Sequence, residues 1–301
     1  MANLCNVDGL ITQEAAARIP VLDRGFLFGD SIYEVVRTVG EVPFGWPEHW
    51  ARLQLSAAAI RMQLDLDEGT IARRIAATIA AAGPGDYYVR LIVTRGLGDA
   101  PNIDLAYANG KPCWVVMVRS LTPMSGKPSR LAIIDRLRND RRALDPATKS
   151  GNYLNNVLGL AEAKALGATD CVMCNADGLL TEASTSNLFA LLDGVWCTPP
   201  LDAGILAGIT RALLLRFLPS CGERVAERAI TTAELRGAAE IFLSSSLRDI
   251  APVTHLDARA LHGGEVGPRS SALLPKFAEF LAQRMQQHYA PTWQRLLGNS
   301  K

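Results

Sequence analysis

Two periodicities alternate along this chain. In the first 118 residues, short runs rich in β-branched and aromatic side chains (GLI, VPF, YYVRLIVTRG and CWVVMV) predict strands. Between them Trp50, Leu53, Ala57 and Ile60 recur at helical spacing, behind a Trp46-Pro47-Glu48 start that puts proline near the first helical position. A second helix is expected after Thr70 as its N-cap, stopping at Gly83.

Residues 120–129 (SLTPMSGKPS) carry Ser, Thr, Gly and two Pro without periodicity, which predicts a linker. Beyond it LAIID reads as a strand, and Leu154, Val157, Leu158 and Ala161 mark a helix ending near Gly167. Strands DCVMC, NLFALL and GVWC follow, then helix ITRALLLRFL, strand AEIFL and a closing helix over roughly 271–288. The pattern predicts an α/β (α+β) protein: a smaller N-terminal α/β domain (1–119), a linker (120–129) and a larger C-terminal α/β domain (130–301) carrying Lys149.

Composition narrows the function classes. In 301 residues, 31 Lys and Arg nearly balance 30 Asp and Glu, so no net field recruits nucleic acid or an anionic membrane. No apolar run approaches the ~20 residues of a membrane span, and MANLCNVDGLI lacks the basic start and apolar stretch of a signal peptide, so a cytoplasmic protein is expected. Cys171 and Cys174 form a C-x-x-C, but no second ligand pair accompanies them, and Val172-Met173 between them reads as strand interior; no metal site is expected. Only six of the basic residues are lysines, which leaves few candidates for amine chemistry.

Four segments hold residues suited to such chemistry. Lys149, in ATKSGNYLNNVLG, precedes an apolar helix, where an amine loses its proton more easily than on a solvated face; taken alone it also suits a surface loop. Leu206-Ala207-Gly208-Ile209-Thr210-Arg211 places glycine at a helix entry, which offers N–H groups to an anion or is an ordinary capped helix. Ser244-Ser245-Ser246 follows a strand and either donates to the same anion or turns the chain. Glu182 sits among small hydroxyl residues in TEASTSN, as a partner for a ring nitrogen or as a turn residue.

The order of these segments carries more than any one of them. KSGNYLNNVL, GLLTEASTSNLF, TPPLDAGILAGITR and FLSSSLRDIAPV, preceded by VLDRGFLFGDSIYEVVRT and EHWARLQLSAAAIRM, resemble the fold-type IV (class IV) aminotransferases that use pyridoxal 5'-phosphate. This family comprises branched-chain, D-amino-acid and (R)-amine aminotransferases and aminodeoxychorismate lyases; the likeness runs from about residue 8 to 255. It implies the D-amino-acid-aminotransferase-like two-domain fold. It also implies that Lys149 binds the cofactor covalently and moves the substrate proton, that Glu182 pairs with the pyridine nitrogen, and that Arg52, Ile209, Thr210, Ser245 and Ser246 hold the phosphate. Tyr153 matches the tyrosine facing the cofactor's phenolic oxygen, at the shorter spacing of the D-amino-acid and lyase branches.

For the substrate, the resemblance points to Tyr33, Arg37, Tyr88, Arg90 and Leu247, with the two guanidinium forks suited to a carboxylate. TRGLGDAPNIDL lacks the Arg and His that the D-amino-acid branch places there, and Val35 replaces a glycine of the branched-chain branch. The expected activity is ping-pong transamination between an apolar or branched-chain L-amino acid and a 2-oxo acid, with D-amino-acid or (R)-amine transamination, or aminodeoxychorismate lysis, as the alternatives. A homodimer or higher homo-oligomer is implied, with residues 97–106 as a loop that closes the partner's site.

Overall fold

The computed structural model describes residues 3–298. It divides into two compact units, the first Met1–Thr122 with Thr148–Asn152 and Gln283–Lys301, the second Pro123–Ala147 with Tyr153–Ala282. The first crossing lies between Thr122 and Pro123. The segment carrying Lys149 returns to the first unit, where the Lys149 carbonyl accepts from the Tyr33 N–H at 2.9 Å and the Gly151 N–H donates to the Ser31 carbonyl.

The first unit holds an antiparallel sheet of β1 (Leu4–Val7), β2 (Leu10–Gln13), β3 (Ser31–Val39), β4 (Val42–Pro43), β5 (Tyr87–Thr94) and β6 (Cys113–Ser120), in the order β2-β1-β6-β5-β3-β4. Helices α1 (Arg24–Phe28), α2 (Trp46–Ala59) and α3 (Glu68–Ala82) accompany it. Of the residues whose spacing was read from the sequence, Trp50, Leu53 and Ala57 join Trp46, Ile32, Val36, Leu91 and Val116 in one core, and Ile60, the C-cap of α2, packs against it partly buried. Trp50 stacks on Trp114, and Trp46 meets Trp293 of the C-terminal helix edge-on at 5.6 Å. Thr70 is not the cap of α3: Asp67 is, its carboxylate accepting from the Thr70 N–H, because an aspartate in extended backbone reaches the third helical N–H.

Strand β3, which lies between β5 and the short edge strand β4, did not read as a strand. Its core face carries Ile32, Glu34 and Val36, so a carboxylate interrupts the apolar alternation; Glu34 is 1% exposed.

The second unit is built on a nine-stranded mixed sheet. Its strands are β7 (Ser129–Leu137), β8 (Asp170–Cys174), β9 (Leu180–Ala183), β10 (Asn187–Leu192), β11 (Val195–Thr198), β12 (Val225–Glu227), β13 (Glu240–Ser245), β14 (Asp249–Leu256) and β15 (Arg259–Ala260). They run β12-β11-β10-β13-β14-β7-β8-β9, with β15 beside β14. Helices α4 (Leu154–Ala165), α5 (Ile209–Ser220), α6 (Thr232–Gly237) and α7 (Pro268–Arg284) follow in chain order among these strands. As the strand period requires, Cys171 packs with Ala132, Ile134 and Ala163, whereas Cys174 packs with the Leu188–Leu243 core. The closing helix is longer than expected: α7 passes through a π-helical turn, Met285–Tyr289, into the C-terminal helix Ala290–Gly298.

Candidate active site

In the first unit, candidate chemistry gathers around β3. Tyr33 and Glu34, adjacent in sequence, point to opposite faces. On the α2 side, the Glu34 carboxylate accepts from Arg52 Nε at 2.8 Å and Nη2 at 2.7 Å, and lies 2.7 Å from His49 Nδ1. Burial alone would raise the Glu34 carboxyl, but the Arg52 guanidinium outweighs it, with help from His49, and holds the carboxyl at about 2. Burial pushes the His49 imidazole below its ordinary value against the pull of Glu34, and the nearby Arg52 and Lys149 charges add to that. His49 is therefore neutral at pH 7 and serves Glu34 as a hydrogen-bond partner, while Arg52 supplies the charge.

On the opposite face, the Tyr33 ring lies 4.4 Å from Lys149 Nζ and 4.1 Å from Arg90 Cζ, measured to the ring centroid. Lys149 is half-buried, and its N–H donates to the Ser56 hydroxyl of α2 at 3.1 Å. Val35 pairs with Arg90 and Arg37 with Tyr88 in the β3–β5 register, which puts these four on the Tyr33 face. Arg37 stacks over Phe44 at 4.9 Å. The structure thus brings together Lys149, Tyr33 and Arg90, and Arg52 with two residues the sequence did not single out, Glu34 and His49.

In the second unit Glu182 lies in β9, one residue before its end, and is buried. Its Oε1 accepts from Arg138 Nη2 at 2.9 Å and Nε at 3.2 Å; its Oε2 accepts from Asn187 Nδ2 and the Leu206 N–H, both at 3.1 Å. Asn187 also donates to the Leu206 carbonyl, which ties Glu182 to the entry of α5. There Gly208 is the N-cap, and no side chain caps the first turn, the position of Ile209 and Thr210. A Cβ on Gly208 would fall 1.9 Å from Asn187 Oδ1, so only glycine lets the helix start lie this close. Ser244 pairs with Asn187 across β10–β13, and Ser245, Ser246 and Leu247 follow, half-buried. Tyr153 stands at the N-cap of α4. Arg138 and Asn187 are the functional candidates that the sequence reading missed here. A buried pair of such residues leaves no periodicity.

Residues 31–256 match the family model for amino-transferase class IV. The chain belongs to the class IV aminotransferase family. It is 32% identical over 276 residues to a provisionally named branched-chain-amino-acid aminotransferase of Methanocaldococcus jannaschii, covering 91% of this chain and 94% of that one. With the D-alanine aminotransferase of Bacillus licheniformis it shares 30% identity over 87% of this chain and 91% of that one. The T.th. branched-chain amino acid aminotransferase, solved with pyridoxamine 5'-phosphate, superposes with a TM-score of 0.85 at 25% identity, covering 97% of this chain and 98% of that one. The fold and transaminase class expected from the motifs are therefore those of this aminotransferase, and enzymes of this class work on pyridoxal phosphate with an amino donor and a 2-oxo acid acceptor.

The aminotransferase's own residues suit that cofactor. The Ser186 and Ser244 hydroxyls, both buried, find no hydrogen-bond partner among the described residues. Ser186 precedes Asn187 in sequence and Ser244 pairs with it across the sheet, and Asn187 itself reaches the uncapped start of α5. Orphaned hydroxyls next to open helix N–H groups fit a polar, anionic ligand. Among the described residues no helix is long and apolar enough to cross a membrane.

Proposed function

We propose that this aminotransferase exchanges an amino group between an apolar or branched-chain L-amino acid and a 2-oxo acid in a ping-pong cycle, with pyridoxal 5'-phosphate carried on Lys149. The observation that carries this reading is the half-buried Lys149 amine over the face of Tyr33, with Arg90 over the same ring. A bound cofactor supplies an electron sink for the substrate Cα carbanion. Lys149 Nζ holds and moves the proton of that carbon. Glu182, fixed by its donors, faces the pyridine nitrogen; Arg52, the first-turn N–H groups of Ile209 and Thr210, and Ser245 and Ser246 hold the phosphate. Tyr153 faces the phenolic oxygen. Tyr33, Arg37, Tyr88, Arg90 and Leu247 line the substrate side, where Arg37 and Arg90 receive a carboxylate.

The branched-chain preference is supported by the relative from Methanocaldococcus jannaschii and by the absence of Arg and His from the stretch after Arg95. A D-amino-acid preference is the second reading, favoured by the 30% identity to D-alanine aminotransferase. Assembly as a homodimer is supported by two apolar exposures: Leu154, Val157 and Leu158 on α4, and Ile103, Leu105 and Tyr107 in the loop between β5 and β6. Location in the cytoplasm is supported by six free cysteines.

A donor screen tests the function: both enantiomers of leucine and alanine and of 1-phenylethylamine, each against pyruvate and 2-oxoglutarate. Fastest turnover with L-leucine is expected, and faster turnover with D-alanine overturns the preference. Donor alone should bleach the visible band of the lysine-bound cofactor stoichiometrically, whereas a lyase turns over without bleaching. Lys149→Ala should lack both band and activity; a variant that keeps them removes the central assignment.

A further inference from the structure

Arg138 follows β7 directly, and its side chain is 7% exposed. Its Nε and Nη2 both converge on Oε1 of Glu182, and its Nη1 reaches Asn156 Oδ1 at 3.3 Å. Asn156 is held in turn, its Nδ2 donating to the Ser184 carbonyl at 2.7 Å. The guanidinium plane is thus fixed at both ends, and it fixes the carboxylate: Oε1 is turned to Arg138 and Oε2 to Asn187 and the Leu206 N–H.

A buried ion pair is a poor device for stability, because apolar residues of similar volume hold a fold as well without the desolvation penalty. Its value lies in orientation and charge. Without the guanidinium Glu182 would be a buried anion held only at Oε2, by Asn187 and the Leu206 N–H, with no charge opposing its pull on a partner's proton. Opposed by a guanidinium it has one orientation and a reduced pull on that proton.

We propose that Arg138 is a positioning residue for the transamination reaction: through Glu182 it sets the protonation of the cofactor's pyridine nitrogen and hence the strength of the electron sink. This rests on the reading above that Glu182 faces that nitrogen. No bond to Arg138 forms or breaks, and the guanidinium keeps its charge throughout.

The experiment compares wild type with Arg138→Met and Arg138→Lys, each reconstituted with 15N-labelled pyridoxal phosphate and separately with its 1-deaza analogue, in which C–H replaces the ring nitrogen. In Arg138→Met the ring 15N resonance should move toward its deprotonated position. The amino-donor half-reaction should slow by roughly 10- to 100-fold, the usual range for losing an outer partner of a functional ligand, with donor KM unchanged. On the deaza cofactor, where the ring nitrogen has already been removed, the same variant should run within about twofold of wild type. Arg138→Lys keeps the buried charge but loses the fork. It should show the same pattern at smaller amplitude, and it serves if the methionine variant does not fold. An unchanged 15N resonance overturns the proposal; so does an equal slowing on both cofactors, which would make Arg138 a structural staple. Wild type that forms no Lys149-dependent band would instead overturn the reading of Lys149 and Glu182 on which the proposal rests.

Discussion

The Glu34 carboxylate grips Arg52 by one edge of its guanidinium, at Nε and Nη2, with both side chains buried between β3 and α2. The pair faces the apolar side of the sheet, where a lone charge has no solvent to return to. Removing one partner of such a pair therefore costs more than the pair contributes, roughly 3–5 kcal/mol. Glu34→Gln should lower unfolding stability by that amount in urea titrations, while the double variant Glu34→Leu/Arg52→Met should lose much less. Equal losses would mean that the clamp is not what stabilises this corner. Because Arg52 is a proposed phosphate ligand, Glu34→Gln should also release cofactor faster on dialysis than wild type.

The same pair fixes a direction for acid sensitivity. Glu34 is held at about 2, well below an ordinary glutamate near 4.5. A depressed carboxyl contributes stability that is fully present above the unfolded value and is lost as pH falls through the folded one, so the window runs from about 4.5 down to about 2. Over that window the loss amounts to roughly 3 kcal/mol. Urea midpoints at pH 7, 5, 4 and 3 should show a steeper acid decline in wild type than in Glu34→Gln. Parallel curves would rule out Glu34 as the source.

How much of this was legible beforehand follows from what each residue does locally. Trp50, Leu53 and Ala57 announced α2 because their burial repeats with the helix, and DCVMC and NLFALL announced strands because continuous apolar runs fill a covered sheet. β3 stayed hidden because Glu34 occupies a core position, a choice that makes sense only once Arg52 and His49 are seen opposite it. Motif order singled out Lys149 and Glu182 as candidates, whereas nothing in the sequence announced their surroundings. Ser56 and Tyr33 are 93 and 116 residues from Lys149, Arg138 is 44 from Glu182, and no local period connects such distances. The cap of α3 was misplaced by one helical turn because Asp67 and Thr70 both suit the post, and only the extended backbone of Asp67 decides between them.

Tyr33 presents one ring to two cations, Lys149 and Arg90. What matters in that contact is the ring face and not the hydroxyl. Tyr33→Phe should therefore keep kcat/KM for the amino-donor half-reaction within about threefold, whereas Tyr33→Leu should lower it by roughly 3- to 30-fold, the span of a cation–π contact of about 0.5–2 kcal/mol. Stopped-flow bleaching of the visible band with L-leucine measures both. If phenylalanine is as damaging as leucine, the hydroxyl and not the ring face holds the amine.

Gly208 offers a test of the second unit that leaves every charged group in place. Its φ is −70°, an ordinary value, so alanine there carries no backbone strain. The obstacle is space alone: the new methyl would sit 1.9 Å from Asn187 Oδ1 and 3.3 Å from the Arg211 Cβ. Asn187 cannot swing away freely, because its Nδ2 bridges Glu182 and the Leu206 carbonyl. Gly208→Ala must then either push the start of α5 outward or break that bridge. Overpacking of this kind costs roughly 1–3 kcal/mol, and either route disturbs the proposed phosphate donors or the proposed ring-nitrogen partner. Lower urea stability and weaker cofactor retention should appear together. Combining Gly208→Ala with Asn187→Ala removes the obstructing atoms, so stability should recover at least in part. Cofactor retention should stay low, because Glu182 has lost a donor. Recovery of both would show that Asn187 only fills space, and recovery of neither would place the obstruction at Arg211.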